Sequence, residues 1–224
     1  MALRLIIGNK NYSSWSLRPW LALKAAGIPF EEEFVSLAAP DFKARVGAHS
    51  SAGRVPVLLD GDVAVWESIA IIEHLAQRFP DRPLWPEEPV ARGHARSLAT
   101  EMHGGFSALR RVVPMNLWRP VEKRAIDEAA RKDLDRITHG WRTARAKHGA
   151  DGDFLFGAFS AADAMYAPVA TRIRTYDLDV DPVSAAYVEA VHAHPVFAEW
   201  KAAALKETEA LPEDEVDWPL VKRV

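Results

Sequence analysis

Val55-Pro-Val-Leu-Leu59, Asp60-Gly61 and Val63-Ala-Val-Trp66 follow one another with only Asp62 between the turn and the second run. Two short runs of aliphatic and β-branched residues around an Asp-Gly pair read as a β-hairpin, the strongest such signal in the chain. Pro56 has no N–H to give to a ladder. It therefore marks either an edge strand or a cis bond where something else approaches the backbone. Directly after the hairpin, Glu67-Ser68 opens a helix predicted over 68–79. Working toward the N-terminus, 41–46 reads as a short helix, 30–35 as a strand and 15–26 as a helix with Trp20, Leu21 and Leu23 among its apolar positions. Gly27 closes that helix, and Pro29 prevents its continuation. With an apolar strand at 3–7, the first 80 residues run β-α-β-α-β-β-α.

Proline then recurs at 80, 83, 86 and 89, which favours a stiff extended segment. We place a linker at 81–89 between a first domain (1–80) and a second (90–224). The second is helical throughout, so the fold class is α/β followed by all-α. In it, Ile126, Ala130, Leu134, Ile137 and Trp141 mark one apolar stripe, while Asp127/Arg131, Glu128/Lys132 and Lys132/Arg136 decorate a solvated face. In Phe159-Ser-Ala-Ala-Asp163, Ser160 is placed to cap a helix and Asp163, three residues on, to reach back to the cap. Asp163 is therefore read as structural. A helix over 101–111 would set Met102, Phe106 and Arg110 on one face with His103 alongside, either as core or as the apolar floor of a pocket holding one cation. Helices at 183–192 and 196–209 and an acidic tail at 213–217 complete the chain.

Composition removes several function classes. The 224 residues carry 28 Lys and Arg against 31 Asp and Glu, a net charge of −3, with no basic stripe long enough to follow a phosphate backbone. Nucleic acid is not an expected partner. No cysteine is present, which excludes disulfides, thiolate zinc sites and a cysteine nucleophile. GxG, Gly-Lys, HExxH and GxSxG patterns are missing. His192 and His194 stand two apart before Pro195 and cannot share a helix face, so no metal is assigned. The apolar run at the N-terminus is too short for a secretory segment, and nothing approaches the ~20 apolar residues of a membrane span. The expectation is a cytoplasmic protein with no membrane partner.

Four pieces carry a resemblance: Ser13-Ser-Trp-Ser-Leu-Arg18, Gly53-Arg-Val-Pro-Val-Leu58, Glu67-Ser-Ile-Ala-Ile-Ile72 and Phe159-Ser-Ala-Ala-Asp163. In this order and spacing the chain resembles the cytosolic glutathione S-transferases, and its paired serines resemble the zeta-type, maleylacetoacetate isomerase-like members. Trp15 stands where their motif has cysteine. The resemblance implies a thioredoxin-like first domain that binds glutathione as co-substrate, and a helical domain that supplies the electrophile pocket. It implies that Ser13 hydrogen-bonds the glutathione sulfur with Ser14 beside it, and that Val55 pairs its backbone with the cysteinyl unit with Arg54 close by. Glu67 and Ser68 would hold the γ-glutamyl end, and Pro56 would be cis. A twofold homodimer is also implied, with its contact including the stretch around 72–96.

The chemistry suits those residues. A free thiol titrates near ~8.5, so catalysis needs a donor that favours the thiolate. A neutral serine hydroxyl and the N–H groups of a helix start both serve. The start of the helix at Ser68 offers a carboxylate unpaired N–H donors, and Glu67 offers the ammonium an acceptor. Without the other motifs, Ser68 would be read only as a cap. The expected function is conjugation of glutathione to a small electrophile. Two alternatives are glutathione-dependent cis-trans isomerisation of the maleylacetoacetate type and a non-catalytic interaction module that keeps the fold.

Overall fold

The computed structural model describes residues 2–220 and 223. Four strands form one sheet: β1 (Leu3–Ile7), β2 (Phe30–Phe34), β3 (Val57–Asp60) and β4 (Val63–Trp66), in the order β2-β1-β3-β4. β1 and β2 are parallel, and the other pairs are antiparallel, with Asp60 opposite Val63 across the turn. Gly61 takes φ +61. Positive φ at the first position of a two-residue hairpin loop is what glycine supplies without steric cost. Pro56 lies just before β3 and outside the paired register, and the Val55-Pro56 bond is cis. Its missing donor therefore costs the ladder nothing.

Alternation along β1 sorts the helices onto two faces. Leu3, Leu5 and Ile7 join the main core with α1 (Ser14–Ala25) and α3 (Ser68–Arg78). Ile6 points the other way, into a smaller cluster with Val46 of α2 (Phe42–Gly47), Val35 and Val57. No regular element lies between Arg78 and Pro89. Helices follow: α4 (Pro89–Gly104), α5 (Ser107–Val112), α6 (Glu128–His148), α7 (Ala161–Thr175), α8 (Pro182–Ala193) and α9 (Pro195–Ala204). Every residue of α7 except Arg174 is buried, and the helix packs against α1 and α4. A helix of small and apolar residues on all sides belongs in the middle of a core. Its start carries the expected reciprocal cap: the Ser160 side chain takes the N3 backbone N–H while Asp163 takes Ser160 N at 2.8 Å.

The structure departs from the sequence expectation in four places. The helix over 101–111 is two helices, because the chain turns at Gly105 and Phe106, the latter at φ 63. A Cβ on Gly105 would lie 2.8 Å from the Glu101 carbonyl oxygen, so only glycine fits this turn without a backbone shift. Met102, Phe106 and Arg110 therefore do not share a helix face. Ile126 precedes α6, and α9 ends at Ala204, well short of residue 209. The acidic tail is partly a single 3-10 turn (Pro212–Asp214), and Glu215 is buried. Among the described residues no helix is long and apolar enough to cross a membrane.

Candidate active site

The turn from β1 into α1 is held from two sides. From within, Ser13 caps α1: its Oγ accepts Ser16 N at 3.3 Å and donates to Ser16 Oγ at 2.7 Å, which in turn accepts Gly8 N at 3.2 Å. From outside, the segment after α9 folds back over the turn. Glu207 accepts Lys10 N at 2.6 Å and Asn11 N at 3.1 Å, and Glu215 accepts the Tyr12 hydroxyl at 2.7 Å. Burial and the neighbouring Glu215 raise the Tyr12 pKa, so this phenol stays protonated and engaged. Ser13 and Ser14, only 6% and 9% exposed, both line a cavity of about 380 Å³ between the two halves of the chain.

A second cavity of about 120 Å³ adjoins it, lined by Pro56, Glu67 and Ser68 among others. Trp15, Arg54 and Val55 line both. At the start of α3, the Ser68 side-chain oxygen is fully buried and has no hydrogen-bond partner. Glu67 precedes it at φ 68, ψ 122, a backbone state that non-glycine residues seldom hold outside functional positions. The Glu67 carboxylate lies 3.3 Å from His103 Nε2. Burial lowers the His103 pKa, against the opposing pull of Glu67, and leaves the ring neutral around pH 7.

Of the four residues read as an electrophile pocket, only Arg110 lines the large cavity. Met102 is fully buried in the core. His103 sits edge-on to Trp15 with centroids 5.2 Å apart. Phe106 supplies the turn, and Arg110 reaches back to the Met102 and His103 carbonyls, closing the C-terminus of α4. The break at Gly105 is thus what brings Arg110 to the cavity.

Sequence reasoning missed Arg172, and gave no role to Arg18 although it closes the motif from Ser13. Both are buried, and each has an Nη1 without a partner. Arg18 donates Nε to the Met165 carbonyl at 3.2 Å, and its guanidinium lies 4.1 Å from the Trp15 ring; Arg110 lies 4.7 Å from the same ring. Burial, then Arg110, lowers Arg172 to about 10, so it remains a cation at neutral pH. For Arg172 the one available signal was the oddity of arginine in a helix made mostly of small and apolar residues. Asp163 accepts Leu155 N, Ser160 N and Ser160 Oγ within 3.0 Å, and burial pushes its pKa up to about 6. It lies away from both cavities and serves the cap. His192 packs on Phe197 and His194 on Phe159, and no group of three or more ligating side chains among the described residues is placed to hold a metal ion.

Comparison with known proteins adds three kinds of likeness. Family models match twice: glutathione S-transferase, N-terminal domain, over residues 12–78 and glutathione S-transferase, C-terminal domain, over residues 120–203. The chain is 35% identical over 105 residues to a probable maleylacetoacetate isomerase of Caenorhabditis elegans, a match covering 46% of this chain and 48% of that protein. It thus spans about half the length of that relative. With a stringent starvation protein A homolog of Haemophilus ducreyi it shares 27% over 155 residues, covering 68% of this chain and 67% of the other. A solved glutathione transferase homolog from Burkholderia gl BGR1, with bound glutathione, superposes with a TM-score of 0.70 at 22% identity, covering 91% of this chain and 98% of that one. That last likeness concerns the fold.

Proposed function

The chain belongs to the glutathione S-transferase family, and from that premise we propose that it binds glutathione, activates the thiol through the Ser13 hydroxyl and transfers it to a small electrophile. The observation that carries this reading is the shared wall of the two cavities: Trp15, Arg54 and Val55 stand between a buried, unpartnered Ser68 oxygen at a helix start and the serine pair at another. Glutathione laid along Val55 would reach the start of α3 with its γ-glutamyl carboxylate and Glu67 with its ammonium, leaving the sulfur beside Ser13. The Ser13–Ser16 contact suits this task. Hydroxyl protons rotate, and once Ser16 donates to Ser13, the Ser13 proton is free to point at sulfur. Gly8 N, Ser16 and Ser13 then form a chain of donors ending on the thiolate. In conjugation, the sulfur lone pair forms the C–S bond, the leaving group departs with its bonding pair, and the thiol proton passes to water.

A second reading within the same site, favoured by the likeness to the Caenorhabditis elegans protein, is isomerisation in which the thiol adds, a bond rotates and the thiol leaves. We also take the assembly to be a cytoplasmic twofold homodimer. The experiment is a thermal-shift titration with glutathione followed by an activity panel of a haloarene, a hydroperoxide and maleylacetone. A ligand at ~100 times its Kd stabilises a folded chain by ~2.7 kcal/mol, a readily measured rise in melting temperature. Conjugate formation supports transfer, and isomerised maleylacetone without consumption of glutathione supports the second reading. No stabilisation by glutathione would leave a non-catalytic module.

A further inference from the structure

The carboxylate at the start of α3 is met from the other half of the chain. Glu67 has a half-exposed side chain on a backbone at φ 68, and its Oε2 lies 3.3 Å from Nε2 of His103, in the last turn of α4. The ring itself has little freedom. Its Nδ1 is buried without a hydrogen-bond partner, and it stands edge-on to Trp15, which lines both cavities. With Nδ1 so placed, Nε2 is the nitrogen that must carry the proton if a neutral ring is to serve a carboxylate. The charged groups acting on the ring are Glu67 from the start of α3, Arg18 from α1 and Arg110 from α5. Burial, with the two arginines behind it, outweighs the pull of Glu67 and keeps the imidazole neutral around pH 7. A neutral donor does here what a lysine could not. A cation would neutralise Glu67, whereas an imidazole orients one oxygen and leaves the negative charge and Oε1 to a second partner.

We propose that His103 is a positioning residue of the glutathione site: from the helical half of the chain it orients the Glu67 carboxylate to receive the γ-glutamyl ammonium. This rests on the reading of Glu67 as the ammonium's acceptor, and it adds what sets that acceptor in place. A half-exposed carboxylate left to itself samples several rotamers, and ordering it on binding costs affinity. His103 holds one of them in advance. The same contact makes the anchor sensitive to acid. A protonated His103 would form an ion pair with Glu67 and compete with the ammonium, so affinity should be steady at neutral pH and fall as pH drops through a ring pKa below the ordinary 6.5. Asp214, pushed up to about 6 by burial, titrates nearby at the larger cavity, so a variant of His103 must separate the two.

The test is the calorimetric affinity of the full chain for glutathione and for glutaryl-cysteinylglycine, the same molecule without its amino group. His103→Phe keeps a ring against Trp15 but no donor, and His103→Gln keeps an uncharged N–H donor. At neutral pH, His103→Phe is expected to weaken glutathione roughly fivefold to tenfold, as loss of a hydrogen bond to a charged group does, and the desamino ligand by less than about twofold. His103→Gln should bind glutathione within about threefold of the unaltered chain and lose less affinity than it does on acidification to about pH 5.5. Equal weakening of both ligands by His103→Phe would mean that the ring only packs, and unchanged affinity that it does nothing; either overturns the proposal. If that variant does not fold, His103→Gln decides: an acid loss as large as that of the unaltered chain, or none in either, overturns it. Glutathione bound by the unaltered chain no better than the desamino ligand would remove Glu67 as the acceptor and the proposal with it, leaving thiol activation at Ser13 standing. Binding of neither ligand would remove the glutathione reading itself, and this proposal with it.

Discussion

A serine that caps a helix and a serine that steadies a thiolate need the same placement, just ahead of unpaired N–H groups. Ser13 meets the first, and on the proposed reading it also serves the second, so its removal should show in two measurements. Ser13→Ala is expected to cost about 1 kcal/mol of stability through the lost cap. It should also shift the rising limb of the pH–kcat/KM profile to higher pH, because the hydroxyl favours the thiolate specifically, while KM for glutathione stays close to that of the unaltered chain. Ser16→Ala, one step back in the same chain of donors, should shift the limb in the same direction by less. If Ser14→Ala moves the limb and Ser13→Ala does not, the sulfur contact belongs to Ser14. At the far end of glutathione, Glu67→Ala and Ser68→Ala should each weaken binding by about 1.5 to 3 kcal/mol in calorimetry, the worth of a charge-assisted hydrogen bond. Unchanged affinity in both would remove the anchor at α3. These residues could be proposed from sequence because each sits beside a mark that sequence displays: a proline, a tight turn, a helix start. Arg172 could not, since a charge within an apolar helix gives periodicity nothing to report until a cavity is seen beside it.

Elements bounded by turn chemistry were read to within a residue or two: the hairpin from Asp60-Gly61, α3 from Ser68, the start of α7 from Ser160 and Asp163. Where the boundary depends on a tertiary contact, the reading failed. Nothing local says that the chain after Ala204 leaves its helix to lay Glu207 on the amides of Lys10 and Asn11. That contact makes its own prediction, because the turn it holds presents Ser13. Glu207→Gln keeps the shape but loses the charged two-oxygen grip, and should lower unfolding stability on the order of 1 kcal/mol, the half-exposed position tempering the loss. Amide exchange at Lys10 and Asn11 should quicken more than elsewhere. Exchange at those two amides no faster than in the unaltered chain would mean that the internal cap alone holds the turn.

At the scale of the whole molecule, the change from mixed sheet to helices near the proline-rich stretch was legible, whereas the assembly was expected only from resemblance. The structure now offers a physical reason for one. β4 is an outer strand with only β3 beside it, and Val63 and Trp66 are 53% and 42% exposed. Val90, in the first turn of α4, is 58% exposed. An unprotected edge bearing apolar side chains invites another chain, and natural sheets usually cover such edges. Within the expected contact stretch, Arg96 grips Glu73 through two hydrogen bonds of 3.0 and 2.9 Å, tying α4 to α3. Light scattering at micromolar concentration should therefore give twice the 24.9 kDa of one chain. Trp66→Glu should shift the population toward the single-chain mass, since a charge placed on an apolar contact surface is desolvated there without a partner. Trp66 also lines the smaller cavity, so the variant's glutathione affinity must be measured alongside its mass. A single-chain mass for the unaltered protein, with turnover retained, would show that the edge is tolerated in water and that one chain suffices.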